Sequence, residues 1–253
     1  MLRPKHKLDR LDWVLNKVDL VTMKLPDHKD TVHIDEKWFY LMHDGSTCRV
    51  FPDKEGVVRM PAVARVYHKS RMPKLMFLVA VARPRPEYDF DGKVGIWFFA
   101  LDRKAQRSNS NTGTVAGVTD ILEPVNVDAT DYLSKTCGPN GVFAKIREKM
   151  WWFEKGSCKP EAGARIFLQH DGAKPHTAKS NEAVWKREGK KHGFEIIVVV
   201  QPAQSPDVNC DDLAFFNSLQ SDTKCVAQSN LFDLRRAVLD CWEAYPADRM
   251  EGC

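Results

Sequence analysis

Apolar positions along the chain change their spacing several times, and each change predicts a different element. Near the start, Leu8, Leu11, Val14, Leu15 and Val18 recur at helical spacing, which predicts a short amphipathic helix leading into the domain. Residues 32–42, 75–82 and 94–101 are then rich in β-branched and aromatic residues or form short apolar runs. Because no helical pattern separates these three segments, we expect three strands in an antiparallel meander.

Beyond residue 101 helical and strand-like patterns alternate. The predicted elements are, in order, a polar loop over residues 102–128, a helix over 132–153 interrupted at 138–141, a strand over 164–169, a helix over 175–192, a strand over 194–200, and helices over 212–224 and 231–244. The order β-β-β-α-β-α-β-α predicts an α/β fold, with one five-stranded mixed sheet flanked by helices.

Composition bounds the class of protein. With 253 residues and 43% hydrophobic residues, the chain is long enough for one domain with a sizeable core. Seven cysteines form no CxxC pair, and their odd number does not suit a closed disulfide framework, so we expect a reducing compartment. No apolar run approaches the length that spans a membrane, and a soluble, unsecreted protein without a membrane partner is expected.

The net charge of +4 is modest, but it is unevenly distributed. Residues 59–107 contain eleven Lys or Arg against four Asp or Glu, a local charge of +7. Such a run usually forms a solvated surface. Its Lys and Arg side chains can also bind the phosphates of a polyanion without reading its sequence.

Three acidic residues fall where an open α/β sheet brings strand ends together. Asp35 lies inside the first strand, Asp171 at the end of the fourth, and Asp212 at the start of a helix after the fifth. Any one of them alone is more often a helix cap or a turn residue. Together they are the hard oxygen ligands that two Mg²⁺ or Mn²⁺ ions need to cleave a phosphodiester, so we expect their carboxylates to converge. Asp207 sits in a proline turn and is left out of this set.

Three sequence blocks resemble the catalytic blocks of the Tc1/mariner transposase superfamily. They are the segments 32–40 (VHIDEKWFY), 169–176 (QHDGAKPH) and 201–216 (QPAQSPDVNCDDLAFF), and they occur in the family's order. Residues 77–85 (FLVAVARPR) and 91–97 (DGKVGIW) also look like the mariner-like group of plants and oomycetes. The resemblance covers roughly residues 8–248.

The resemblance implies an RNase H-like fold and a catalytic triad at Asp35, Asp171 and Asp212, with two Mg²⁺ or Mn²⁺ ions. A long second interval that ends in Asp rather than Glu fits the plant type. The implied activity is cut-and-paste transposition, in which hydrolysis at the element's ends precedes strand transfer into target DNA. The implied partners are transposon-end and target DNA and, in full-length relatives, a second copy of the chain. We expect a nuclear location.

The chain departs from the family pattern at three positions. Gly172 stands where Asn usually follows the second Asp, which removes a side-chain amide and adds backbone freedom. Cys210 and Asp211 replace residues that are normally apolar. Asp211 thus adds a fourth carboxylate, which either competes for metal or faces solvent. Because consecutive residues of an α-helix point about 100° apart, we expect Asp212 and not Asp211 to face the metals.

Several basic residues are candidates for DNA contact. Lys37 shares a strand face with Asp35, where an ammonium can meet a phosphate oxygen, although it can equally be a solvated lysine. His176 follows Pro175 in the second block and can orient a ligand, contact DNA or make a local hydrogen bond. The other candidates are Arg65, Lys69, Arg71, Lys74, Arg103, Lys104 and Arg107.

We divide the chain into a linker helix over residues 1–30 and a catalytic domain over residues 31–253. Relatives carry a helix-turn-helix region ahead of this domain and continue past its end, so we expect this chain to lack the reader of the terminal repeats. Two other readings remain open. One is an RNase H-like nuclease with another role, and the other is an inactive or domesticated remnant that binds DNA or protein.

Overall fold

The computed structural model describes residues 2–41, 72–110, 113–150, 164–172, 179–226 and 228–252. Its strands are β1 (Thr31–Tyr40), β2 (Lys74–Ala82), β3 (Lys93–Phe98), β4 (Ala100–Lys104), β5 (Asp120–Pro124), β6 (Ala164–His170) and β7 (Phe194–Val200). Its helices are α1 (Pro4–Leu15), α2 (Ala129–Cys137), α3 (Val142–Lys149), α4 (Lys179–Lys191), α5 (Phe216–Lys224), α6 (Leu231–Glu243) and α7 (Ala247–Glu251).

Five of these strands form the central sheet in the spatial order β3-β2-β1-β6-β7. The first three pair antiparallel, while β1 pairs parallel with β6 and β6 parallel with β7. The predicted five-stranded mixed sheet and the meander of its first three strands are confirmed. The parallel pairs need crossovers, and helices lie between these strands in the chain.

The sheet separates two hydrophobic cores, because successive strand residues point to opposite faces. On the first face, Val32 and Ile34 of β1 pack with Leu78 and Ala80 of β2 and with side chains of α2, α3 and α4. On the second face, residues of β1 and β2 pack with Phe215 and with side chains of α5, α6 and α7. Helices thus cover both faces.

Two helices begin at side-chain caps that the sequence supplies locally. Asp128 accepts hydrogen bonds from the N–H groups of Thr130 and Asp131 at 2.8 and 2.9 Å, and this starts α2. Asn230 accepts from the N–H of Asp233 at 3.0 Å and starts α6. These bonds satisfy N–H groups that the first turn of a helix leaves without an internal partner.

The polar loop predicted over residues 102–128 is wrong at residues 102–104 and 120–124, which belong to β4 and β5 and form an antiparallel ribbon. Oppositely charged residues face each other across the pair: Arg103 Nη1 lies 2.9 Å from Glu123 Oε2, and Lys104 Nζ lies 2.7 Å from Asp120 Oδ1. Because the ribbon is mostly exposed, its residues do not show the alternation that identifies a half-buried strand.

The N-terminal helix is present, but its apolar stripe does not pack against the domain. Leu8, Leu11 and Leu15 are each more than half exposed. The helix contacts the domain through other residues: Trp13 Nε1 donates to the carbonyl of Val200 at 3.1 Å, and Arg10 forms an ion pair with Asp207. Among the described helices, none is long and apolar enough to cross a membrane.

Candidate functional site

The three predicted acids come from the strands β1, β6 and β7 and the segments that follow them. Asp35 lies in the middle of β1, Asp171 follows the last residue of β6, and Asp212 lies in a turn of π-helix, Asp211–Phe215, after β7. The parallel register pairs His33 with Gln169, so two further residues along each strand bring Asp35 level with Asp171. Because β1 and β6 are neighbouring strands, the main chains at Asp35 and Asp171 lie about 4.8 Å apart.

Asp35 is buried on the second face, with 6% of its surface exposed. Its Oδ1 accepts a hydrogen bond from the N–H of Glu36 at 2.7 Å, and its Oδ2 accepts one from Asn209 Nδ2 at 2.6 Å. Burial, together with the negative charges of Glu36, Asp212 and Asp171, raises the pKa of Asp35 to about 7 against the opposing hydrogen bond from the N–H of Glu36. The carboxylates of Asp171 and Asp212 are therefore electrostatic neighbours of Asp35.

Asp212 lies at the solvent edge of this group and has a basic neighbour. Its Oδ1 is 3.9 Å from Lys37 Nζ, and the two side chains are 38% and 29% exposed. The Lys37 ammonium also lies 5.3 Å from the centroid of the Phe216 ring. Lys37 shares the second face with Asp35, as its spacing predicted, and the structure pairs it with Asp212.

The burial of Asp211 excludes one of the two alternatives that the sequence left open for this residue. Asp211 does not face solvent, because its side chain is 0% exposed. Burial raises the pKa of Asp211 well above its ordinary value, and the charges of Asp35, Asp212 and Glu36 raise it further. Asp211 and Asp212 do not lie in a regular α-helix. They lie in a wider π-helical turn, which is closed by a hydrogen bond from the N–H of Phe216 to the carbonyl of Asp211.

Asn209 was quoted within the third block but was given no role. It is 1% exposed, and its amide links two parts of the site. Its Nδ2 donates to Asp35, and its Oδ1 accepts from the N–H of Asp211 at 3.1 Å. No local pattern in the sequence marks this role, because Asp35, the partner of the Asn209 amide, lies 174 residues away in the chain.

The segment before Asn209 is anchored to the sheet. Gln169 Nε2 donates to the carbonyl of Val208 at 2.8 Å, which ties this segment to the end of β6 next to Asp171. Asp207 lies in a 3₁₀ turn, Pro206–Val208, and pairs with Arg10. Its exclusion from the predicted acids agrees with this position.

The oxygen donors of the acids suit a hard divalent cation in their chemistry. Within the described residues, however, no three His, Cys, Asp or Glu side chains form a group that could hold a metal ion as they stand. Asp171 and Asp212 are nonetheless near enough to Asp35 to raise the pKa of its carboxyl.

Two departures from the family pattern have a structural account. A Cβ atom on Gly172 would meet only Val200 Cγ1, at 3.8 Å, and the φ of Gly172 lies outside the left-handed region. The backbone there does not require glycine. Cys210 is half-buried and packs against the core of the second face, as the apolar residue it replaces would.

Of the basic residues predicted to contact DNA, His176, Arg65, Lys69 and Arg71 lie outside the described residues. Lys74 Nζ lies 4.1 Å from the Trp38 ring centroid. Arg103 and Lys104 are paired with acids across the ribbon of β4 and β5, and Arg107 is exposed in the connection that follows β4.

Comparison with known proteins gives a match at the level of structure. No family model matches the sequence, and no curated protein matches it. The fold is similar to that of a pre-cleavage Mos1 transpososome, with a TM-score of 0.66 and 15% identity over 99% of this chain and 59% of that one. It is also similar to the Mos1 mariner paired end complex with Mn, with a TM-score of 0.60, 16% identity and the same coverage.

A third similar structure is the Mos1 strand transfer complex, with a TM-score of 0.55 and 14% identity over 99% of this chain and 58% of that chain. The chain thus spans less than two thirds of the length of the transposase chains it matches. The mixed sheet flanked by helices is the RNase H-like α/β fold of these transposase chains.

Proposed function

We propose that this chain is the catalytic core of a Tc1/mariner-like DNA transposase of the plant and oomycete type, with an Asp-Asp-Asp triad. The observation that carries the proposal is the similarity of 99% of the chain to Mos1 transposase complexes. Within that fold, the three blocks that resemble the family's catalytic blocks bring Asp35 and Asp212 close enough for electrostatic interaction, with Asp171 beside them.

The proposed cofactor is a pair of Mg²⁺ or Mn²⁺ ions, and two similar structures are Mos1 paired end complexes with Mn and with Mg. Asp35, Asp171 and Asp212 would hold the ions. When bound, such ions activate a water molecule and stabilise the leaving oxygen of a phosphodiester. Because buried Asp35 lies beside three other acids, positive charge at this position would relieve their mutual repulsion.

The chain's own residues would orient this chemistry. Both carboxylate oxygens of Asp35 are held, one by the N–H of Glu36 and one by Asn209, so its orientation is set before a metal binds. Lys37 lies at the open edge beside Asp212. Once Asp212 ligates a metal, we expect the Lys37 ammonium to contact a phosphate oxygen of the DNA.

The partners in this proposal are transposon-end DNA and target DNA. One similar structure is a Mos1 transposase paired-end complex with a left transposon end, and target DNA is implied by the family resemblance. A homodimer of the full-length protein and a nuclear location complete the proposal, and both come from the family resemblance.

A supercoiled-plasmid assay with Mg²⁺ or Mn²⁺ tests the enzymatic part. We expect the wild-type chain to nick the plasmid and Asp171→Ala to lose at least a hundredfold in rate. Asp222→Ala is the matched control, because Asp222 is partly exposed and pairs with Arg249 rather than with a residue of the triad. Nicking that survives Asp171→Ala would remove Asp171 from the catalytic set.

Joining of pre-cut ends to a target duplex separates a transposase from another RNase H-like nuclease. The nuclease would nick without joining. A chain that binds DNA but neither nicks nor joins would be the inactive remnant.

A further inference from the structure

Asp211 has the surroundings of a ligand and not those of a core residue. Its side chain is fully buried, and neither Oδ1 nor Oδ2 has a hydrogen-bond partner within the described part of the chain. Buried carboxylates are otherwise found paired, hydrogen-bonded or bound to a metal, because burial removes the water that stabilises them.

The charged groups that act on Asp211 are all acidic: Asp35, Asp212 and Glu36. The Asn209 side chain lies between Asp35 and the main chain of Asp211 and hydrogen-bonds to both. The nearby Lys37 ammonium is placed towards Asp212. Asp211 therefore lies close to Asp35, is linked to it through Asn209, and has no positive partner among the described groups that act on it.

The π-helical turn accounts for the position of both acids. Asp211 and Asp212 are the first two residues of this turn, and their side chains lie in different surroundings. Asp211 faces the interior and Asp212 the open edge. Such turns occur frequently at functional sites.

We propose that Asp211 is an additional carboxylate ligand of the divalent-metal centre, acting beside Asp35. This inference rests on the proposed function and assigns to the centre a residue that the family pattern does not contain. A divalent cation held by Asp35 and Asp211 would satisfy the oxygens of Asp211 and offset the repulsion between the two buried acids.

Mn²⁺ binding by calorimetry, together with urea unfolding in EDTA and in Mn²⁺, tests the inference on the full chain. The variants are Asp211→Asn, which keeps the shape, and Asp211→Leu, which makes the position apolar. We expect both variants to be more stable than wild type in EDTA. We expect both to bind Mn²⁺ at least tenfold more weakly and to gain less stability from it. Asp222→Asn, an exposed acid, should match wild type in every measurement.

The outcomes separate this inference from the proposed function. If Asp211→Asn binds Mn²⁺ as tightly as wild type, Asp211 is only an uncompensated buried acid and the inference is overturned, while the transposase proposal stands. If wild type binds no Mn²⁺, the inference and the metal dependence of the proposed function both fail. If Mn²⁺ affinity depends on Asp211 but no plasmid is nicked, the inference stands and the enzymatic proposal fails.

Discussion

His33 and Asp35 lie two positions apart in β1, and burial shifts their pKa values in opposite directions. Burial lowers the pKa of His33 to about 4, assisted by the charges of His28 and Lys17. Burial and neighbouring carboxylates raise the pKa of Asp35 to about 7. Between pH 4 and 6.5, His33 is mostly protonated in the unfolded chain and mostly neutral in the folded chain. Over the same range, Asp35 is mostly ionised in the unfolded chain and mostly protonated in the folded chain. The His33 contribution to stability therefore rises with pH, and the Asp35 contribution falls.

Replacing Asp35 removes its contribution to the free energy of unfolding, which falls as the pH rises. The contribution of His33, which increases with pH, remains. In EDTA we expect Asp35→Asn to match wild type near pH 4 and to be more stable by about 4 kcal/mol at pH 8, because a shift of one pKa unit corresponds to about 1.4 kcal/mol. Urea unfolding at pH 4, 6 and 8 measures this difference, with Asp222→Asn expected to follow wild type. A stability difference that stayed constant with pH would show that the pKa of Asp35 is not raised by folding.

At the scale of elements, glycine sets how closely α4 approaches β7. A Cβ atom on Gly189 would lie 2.6 Å from Ile196 Cγ1 and 3.0 Å from the carbonyl oxygen of Phe194. Glycine within a helix costs about 1 kcal/mol relative to alanine, and here it permits contact between the helix and the strand.

We expect Gly189→Ala to lower the free energy of unfolding by about 1–3 kcal/mol, because the added methyl group must push α4 away from β7. Gly172→Ala is the matched control, since it has room and an ordinary φ. The control should gain about 0.4–1 kcal/mol by restricting the unfolded chain. Urea unfolding in EDTA gives both values. Equal effects of the two substitutions would mean that α4 does not pack this closely on β7.

At the scale of the whole molecule, the basic stretch carries less free positive charge than its composition suggests. Within the described residues, Arg83, Arg85, Lys93, Arg103 and Lys104 each lie within 4 Å of a carboxylate. Ion pairs at the surface are weak and can exchange for phosphate. Arg107 is exposed in the same region, so it is available to contact the DNA backbone.

We expect Arg107→Ala to weaken duplex binding by the same factor for any sequence and to reduce the slope of log affinity against log salt by about 1, because a phosphate contact releases counterions without reading bases. Arg236→Ala is the control, since Arg236 is 83% exposed on α6 and outside the basic stretch. Fluorescence anisotropy at several salt concentrations measures both slopes. If Arg107→Ala and Arg236→Ala lose equal duplex affinity, the basic stretch does not bind the DNA backbone through Arg107.

Local patterns in the sequence were sufficient to predict the five strands of the sheet, their antiparallel and parallel halves, and the helices between them. Burial on one or both faces imposes a period of two or a continuous apolar run on a strand, so this information is present in consecutive residues. The positions of Asp35, Asp171 and Asp212 on that sheet followed from the same patterns. The ribbon of β4 and β5 did not, because the ion pair of Arg103 with Glu123 joins residues distant in the chain and leaves no periodic signal.

The details of the site depend on contacts between distant segments. Asn209 reaches Asp35 across 174 residues of sequence, and no local pattern records that bond. Asp211 is buried and Asp212 partly exposed in a π-helical turn, and Phe215 at its end packs into the core of the second face with residues of β1 and β2. Sequence periodicity records which residues avoid water, whereas the partner that each buried polar group meets is set by the packing of the complete chain.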